Sequence, residues 1–514
     1  MKADFDVAVV GSGFSGSLLA MIAKRLGRSV VLIERGSHPR FAIGESSTPL
    51  ANLLLEEIAT DYGLPRLRPL CEWGSWQRAY PDVACGLKRG FTFYHHEFDR
   101  PWGRRLDRAN ELLVAASPHD EVADTHWYRP EFDEFLVREA QSLGVEYLDE
   151  TELAGISKSP LGLRLEGARG AKRVDIQARF TVDATGPRGF LHRAFGLPES
   201  PFSNLPPVEG LFTHFVDVHR WDGLMPCARA GAPYPPDDAA VHHVFPGGWI
   251  WVLGVGKGIT SAGVAALAGR FDLEDGTGWL KLLERLPAVR EQFAHARATM
   301  PFIHAANLPF RSGVVVGPNW ALMPSAAGFV DPLLSTGFPL TLLGIQRLAE
   351  VLKHLDAPEP HLKGHETQTL REVNRAAELI AALYRNMDRP RIFNALTLLY
   401  FAAASFTESA RRLGKPDLAG RTFLLGDHPR FAPAFELCLD LAFQRADPTA
   451  LVKAVLTAIE PIDVAGLSDL SRLNSYGVFA SDLRGAAHKL NASVEEVDAM
   501  LARCGFVAKP EAVP

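Results

Sequence analysis

Cysteine is scarce and unpatterned: the 514 residues hold five, at positions 71, 85, 227, 438 and 504. Their odd number and irregular spacing exclude a disulfide framework and the paired spacings of zinc or iron–sulfur sites. No metal is expected, and a reducing cytoplasm is the expected compartment. No Lys/Arg-rich block interrupts the chain, and a formal net charge of −6 offers nucleic acid no electrostatic footprint. The longest apolar stretch, 395–406, is about a dozen residues against the roughly 20 that a membrane span needs, so it reads as a buried or groove-lining helix. Internal repeats and low-complexity segments are missing. The first residues lead straight into a strand and a glycine-rich loop, so no cleaved leader is expected. What remains, 47% hydrophobic and 22% charged, is the balance of a globular chain with core for about two or three domains.

Residues 5–10 (FDVAVV) read as a strand, Gly11-Ser12-Gly13-Phe14-Ser15-Gly16 as a loop, 17–26 as a helix and 29–33 as a second strand ending at Glu34 and Arg35. That is one β-α-β unit. Gly11 makes the tight turn, Gly13 lets backbone approach a pyrophosphate, and Gly16 lets helix and strand close up. The helix beginning near Phe14 aims its N–H groups, Ser15 among them, at the phosphates. Glu34, placed to take a ribose hydroxyl pair, turns a weak motif into a strong dinucleotide signature, without separating NAD from FAD. A second such fingerprint is absent.

Further along, 50–58 reads as helix and about 60–124 as a loop-rich, aromatic stretch. An amphipathic helix follows over 130–143 and a strand over 180–183. Strands with turns fill 212–255, a strand-like run covers 313–322, and a long helix spans 338–355. The chain is then largely helical to about Leu501, with the end from Lys509 frayed.

Two segments carry a resemblance. Arg129-Pro130-Glu131-Phe132-Asp133 and Asp183-Ala184-Thr185-Gly186 resemble secondary signatures of flavin monooxygenases with the hydroxybenzoate-hydroxylase-like fold. The resemblance implies FAD, with Arg129, Asp183 and Gly186 among its contacts. It also implies an α/β architecture. A Rossmann-like FAD-binding domain would take 1–200, with a loop-rich insertion at about 60–124, and return over 306–350. A mixed β-sheet substrate-side domain would cover 201–305, and a mostly α-helical C-terminal region 351–514.

Within Gly328-Phe329-Val330-Asp331-Pro332-Leu333-Leu334-Ser335-Thr336-Gly337, the residues Phe329, Pro332, Ser335 and Gly337 fit F-x-x-P-x-x-S-x-G. This spacing resembles the signature of flavin-dependent halogenases. The resemblance implies that Asp331, Pro332 and Gly337 lie beside the flavin. Ser335, Thr336 and Gly337, with Pro49, would form the halide site, because a buried anion needs aligned donors. Cys85-Gly86-Leu87-Lys88-Arg89-Gly90-Phe91-Thr92-Phe93 resembles the strand carrying the essential lysine, closest to the phenolic branch. It assigns to Lys88 the delivery of electrophilic halogen. A lysine taken alone is ordinarily a solvated surface residue. Gly44-Glu45-Ser46-Ser47-Thr48-Pro49 resembles the loop that contacts the isoalloxazine, which implicates Gly44, Glu45, Ser46 and Ser47. Read from the residues, it is a polar turn and helix cap.

Two departures bear on chemistry. The halogenase W-x-W-x-I-P strand appears as Trp249-Ile250-Trp251-Val252-Leu253-Gly254, where glycine for proline frees φ. Leu334 stands where tryptophan halogenases carry a glutamate, which points to an already activated phenol-like ring. Trp249, Trp251, Phe93 and Leu334 are the substrate-side residues. Glu97, His95 and His96 are candidate general bases, although alternation puts neighbours on opposite faces of a strand. The resemblance thus implies an enzyme using FAD reduced by a separate flavin reductase, oxygen and chloride or bromide on a small aromatic substrate, with a homodimer left open. An aromatic monooxygenase on the same scaffold is the alternative, and a flavin-binding protein without turnover the third reading.

Overall fold

The structure is a computed structural model and describes residues 4–506; the end from Lys509 lies outside them. In chain order come β1 (Phe5–Val10), α1 (Phe14–Arg25), β2 (Val30–Ile33) and α2 (Pro49–Asp61). Next are β3 (Cys85–Lys88), β4 (Gly90–His95), β5 (Glu111–Ala115), β6 (Asp124–Trp127) and α3 (Arg129–Ser142). Then follow β7 (Glu146–Leu148), β8 (Thr151–Ser159), β9 (Gly162–Arg169), β10 (Lys172–Asp183), β11 (Val208–Val216), β12 (Ala240–Phe245), β13 (Gly248–Gly256), β14 (Ile259–Leu267) and β15 (Trp320–Leu322). Three long helices close the list: α4 (Gly337–Lys353), α5 (Glu359–Arg385) and α6 (Pro390–Arg412).

Strands β15, β10, β1, β2 and β7 lie side by side, all parallel. Helices cover the centre of this sheet, which is why β1 and β2 are continuous apolar runs: Val7 to Val9 and Val31 to Leu32 have no exposed surface. Strands β8, β9 and the first half of β10 form an antiparallel ribbon off its side. Only 180–183 of β10 is legible as strand, because its first half alternates charged outer residues with Ile176 and Ala178.

The second sheet runs in the order β11, β14, β13, β12, β4, β5, with Ser475–Tyr476 at its far edge. Two of its strands come from the loop-rich 60–124 stretch, which also carries β3, the start of β6 and helical turns at Pro65–Cys71 and Trp73–Ala79. The glycines at 86 and 90 mask the strand signal, and β4 finds its parallel partner, β12, far away in sequence. One face of this sheet packs on the large core shared with α1, α4 and α6. The other buries Ile250 and Val264 against Trp279 and Phe293. Strand β13 runs through Gly254 to a register shift before Gly256, so glycine at the family's proline position keeps the ladder paired. Among the described residues no helix is long and apolar enough to cross a membrane; 395–406 lies within α6 and is buried except at Ala404 and Ser405.

Candidate functional site

At the C-terminal edge of β1 the chain turns at Gly11, whose φ of +99° is a left-handed backbone that favours glycine. A Cβ on Gly16 would stand 1.9 Å from the Gly11 carbonyl oxygen, so α1 can cross β1 only with glycine there. No side chain caps the N-terminus of α1, which leaves its first N–H groups free for an anion. Arg129 Nη2, Asp133 Oδ2 and Arg40 Nη2 lie 3.6, 3.7 and 3.8 Å from where a Gly13 Cβ would be, so the two arginines beside the loop stand next to a carboxylate. Arg129 is aimed by two 2.8 Å hydrogen bonds to the Asp133 carboxylate and donates to the Ile43 and Gly44 carbonyls. Glu34 accepts from Ser12 N, Ser12 Oγ, Gly36 N and Arg40 Nη2 at 2.9 to 3.1 Å. Burial pushes its carboxyl up, but Arg40 and these N–H groups outweigh that and hold it below the usual range.

A cavity of about 850 Å³ runs from this loop past Arg35 and Gly186 to Asp331, Pro332 and the Ser335-Thr336-Gly337 turn. Its size, uncapped helix end, flanking arginines and ribose-side carboxylate fit the FAD that the sequence implies. At its far end Leu334 (φ 66°) and Ser335 (φ 53°) are both left-handed and Thr336 returns to right-handed geometry. Such a reversal makes a concave anion seat of backbone N–H groups, here at the uncapped start of α4. Asp331 braces the turn, accepting from Leu333 N (2.8 Å) and Tyr384 Oη (2.7 Å). Burial raises its carboxyl to about 6 against those donors. Trp249 and Trp251 line the cavity, and so does His242, 5.2 Å from the Trp249 ring. Glu45 lines it as well and is paired with the buried His214 ring at 2.7 Å.

Lys88 has no exposed surface. Its Nζ donates to the Ser47 carbonyl and sits 3.8 Å from the centroid of the Phe91 ring. In the antiparallel β3–β6 pair it stands opposite Asp124. Burial pushes the Lys88 ammonium down to about 7 and the Asp124 carboxyl up to about 7, and the attraction between them opposes both shifts. His126 and His242 are held neutral, first by burial and then by the lysine's charge. Asp124 Oδ1 accepts from Asn52 Nδ2 at 2.9 Å, whereas Oδ2 is buried without a partner. A second cavity of about 160 Å³ is lined by Asp124, Phe91, Tyr400 and Phe401, with Glu408 and Arg412 beyond. Lys88 itself lines neither cavity: of its neighbours, His242 lines the first, and Phe91 and Asp124 line the second.

Of the residues singled out in the sequence, Gly11, Gly13, Phe14, Ser15, Glu34, Arg35, Gly44, Glu45, Ser46 and Arg129 line the first cavity. So do Gly186, Asp331, Pro332, Ser335, Thr336, Gly337, Trp249 and Trp251. Others stand off it. Gly16 packs helix on strand. Asp183 turns its carboxylate to Thr185 and the Leu191 N–H, capping a short helix instead of facing the cavity. Ser47 is stitched to Thr125 by both N–H and Oγ, because 45–47 runs along β6. Pro49 lines the second cavity. Leu334 is fully buried under its turn, and Phe93 is fully buried against the His242 ring at 4.4 Å. The candidate bases do not gather at Lys88: Glu97 pairs with Arg100 at the surface, His95 bonds Asn394, and His96 bonds His243. Asp124, His126, His242 and Asn52 surround Lys88 without having been legible. Alternation along a strand is readable, but the register that sets Asp124 opposite Lys88 is not.

Residues 6–321 match the family described as DAO, FAD dependent oxidoreductase. The tetracycline 7-halogenase of Kitasatospora aureofaciens is 30% identical over 351 residues, covering 66% of this chain and 61% of that protein. The monodechloroaminopyrrolnitrin halogenase PrnC of Pseudomonas fluorescens is 30% identical over 356 residues, covering 67% and 61%. The chain thus spans about six tenths of the length of these curated relatives. Among solved structures, the halogenase PltM in complex with phloroglucinol and FAD has the same fold, with a TM-score of 0.82 at 23% identity over 91% of this chain and 98% of that one.

Proposed function

The chain belongs to the FAD dependent oxidoreductase family, and from that premise we propose that it is a flavin-dependent halogenase acting on an electron-rich, phenol-like ring. The observation that carries this reading is Lys88: a lysine with no exposed surface that lines neither cavity itself but stands among His242, which lines the cofactor-sized one, and Phe91 and Asp124, which line the ring-sized one. An isolated buried ammonium is costly, and this one has no carboxylate in direct contact to offset the cost, so a reason beyond stability is called for. The names of the two curated relatives support the same reading.

FAD, when bound, supplies the reduction of oxygen that makes oxidation of chloride or bromide possible; its reduced form would come from a separate flavin reductase. The N–H groups at Ser335, Thr336 and Gly337 seat the halide. Trp249, Trp251 and His242 keep water and the aromatic substrate off the flavin side. Lys88, its ammonium pushed down to about 7 by burial, holds hypohalous acid by hydrogen bonding and presents its halogen to the ring. On this reading 1–200 and 306–350 hold the flavin, 201–305 form the substrate-side sheet, and 351–514 wall the aromatic's side.

The test is purified protein with FAD, a flavin reductase, NADH, bromide or chloride and a panel of phenols, indoles and pyrroles, read by mass spectrometry. The expected product carries the halogen isotope pattern and is lost in Lys88→Ala while FAD binding persists. Oxygenated product without halogen, formed with NAD(P)H and no reductase, would instead assign an aromatic monooxygenase.

A further inference from the structure

Substitution of halogen for hydrogen on a phenol requires a base, and Leu334 removes the glutamate that tryptophan halogenases place near the lysine. The three sequence candidates are occupied elsewhere. Of the other carboxylates on the second cavity, Glu408 is paired with Arg412 at 2.7 Å. Glu72 lines the cavity too, beside the helical turn at Trp73–Ala79, but it is not in the strand pair that sets a carboxylate opposite Lys88. His126 has no partner on either ring nitrogen, but it lines neither cavity and burial holds its ring well below its usual basicity.

Asp124 alone among these combines a buried unpartnered oxygen, a place on the second cavity and the register position opposite Lys88. Only 4% of its surface is exposed, its Oδ2 is buried and unpartnered, and it lines the second cavity beside Phe91 and Tyr400. Asn52 fixes the other oxygen, so the carboxylate plane cannot swing away. It faces Lys88 across β3–β6. The cavity's volume, about 160 Å³, is close to the roughly 150 Å³ that holds one benzene ring.

We propose that the second cavity takes a single phenolic ring and that Asp124 Oδ2 is the base that accepts its hydroxyl proton. The inference rests on the halogenase reading. As the O–H pair moves into the ring, the ring carbon bonds the halogen of hypohalous acid and the O–X bond breaks. The departing hydroxide takes a proton from the Lys88 ammonium and leaves as water. The halogenated dienone then loses its ring proton to the neutral Lys88 amine, the C–H pair restores aromaticity, and the phenol oxygen recovers the proton from Asp124. Phenol and hypohalous acid become halophenol and water, with both side chains back in their starting states. The ring is oxidised by two electrons and the halogen reduced by two. A carboxyl raised by burial to about 7 is matched to this exchange near neutral pH.

The test uses the holoenzyme, a flavin reductase and bromide, with phenols of graded acidity. Wild type is expected to halogenate acidic and weakly acidic phenols at similar kcat/KM. Asp124→Asn is expected to bind FAD stoichiometrically and to yield hypobromous acid to a soluble scavenger. Its ring halogenation should fall about 100- to 1,000-fold for the least acidic phenol and less than about 10-fold for phenols already ionised at the assay pH. Equal halogenation by wild type and variant would overturn the proposal. So would a loss uniform across the series, which would mean that Asp124 acts only through Lys88. Should the variant fail to fold, wild-type rates that track the ionised fraction of each phenol would overturn it alone, and a naphthol halogenated as fast as phenol would overturn the single-ring chamber. No halogenated product from wild type would sink the halogenase reading and this inference with it; product from wild type, undiminished in the variant, sinks this inference only.

Discussion

Lys88 works against the stability of the fold that holds it. Its ammonium is pushed from an ordinary 10.5 down to about 7 by burial, so the unfolded chain binds more protons at this side chain throughout that interval. Stability contributed through Lys88 therefore rises with pH from about 7 to 10.5 and is lowest at and below neutrality. Lys88→Met fills the same space without a charge. Without the lysine's charge Asp124 is pushed further up and takes a proton. The variant is then expected to raise stability at pH 7 by on the order of 2 kcal/mol in denaturant unfolding, while abolishing halogenated product. The gap between the two proteins should close as pH approaches 10.5. A variant less stable than wild type at pH 7 would mean that the lysine is held for structural reasons.

Among the elements, the short strand β3 is the one on which position matters most. Gly86 lies two residues before Lys88, and a Cβ there would stand 1.7 Å from the Gly254 carbonyl oxygen of β13. Gly86→Ala must lift β3 from β13 and carry Lys88 with it. The expected result is a destabilisation of about 1–3 kcal/mol, a loss of ring halogenation of at least about 100-fold, and FAD titration close to wild type. Gly16→Ala has the opposite pattern: its Cβ would sit 1.9 Å from the Gly11 carbonyl oxygen, and FAD binding should fail first. The same two sites show what was readable. The β1–α1–β2 unit is local, so glycine spacing and the acid at 34 place it without knowledge of the rest. The setting of Lys88 is carried by pairing between distant segments: β6 brings Asp124 and His126, and β12 brings His242. Within a stretch that otherwise reads as loop-rich, only the resemblance marks 85–93 as strand. The base candidates drawn from neighbouring sequence, His95, His96 and Glu97, miss the residue that lies opposite in space.

Across the whole molecule, the two cavities draw on different parts of the chain. The first is lined almost wholly by residues before 342. The second is closed by α6 and by C-terminal residues such as Phe479, Leu501 and Phe506. The closing segment is anchored where Ser475–Tyr476 pairs with Leu113 and Val114 at the edge of the second sheet, with Tyr476 2% exposed. Tyr476→Asp puts a carboxylate in that seat and is expected to cost about 2–4 kcal/mol. Thermal unfolding should fall accordingly, FAD per chain should stay at the wild-type value, and kcat/KM for the aromatic should drop through KM. A parallel loss of FAD would show that the two halves do not act separately.

If the chain is the halogenase proposed, the residues around Lys88 separate two doors: oxygen and halide would come from the flavin's side and the ring from the other, so the arrival of one would not gate the arrival of the other. On the proposed reading an inert phenol analogue lodged in the inner room would leave reductant consumption running. Electrons would then be spent without a halogenated ring to show for them, and economy would have to come from whatever meters the supply of reduced flavin.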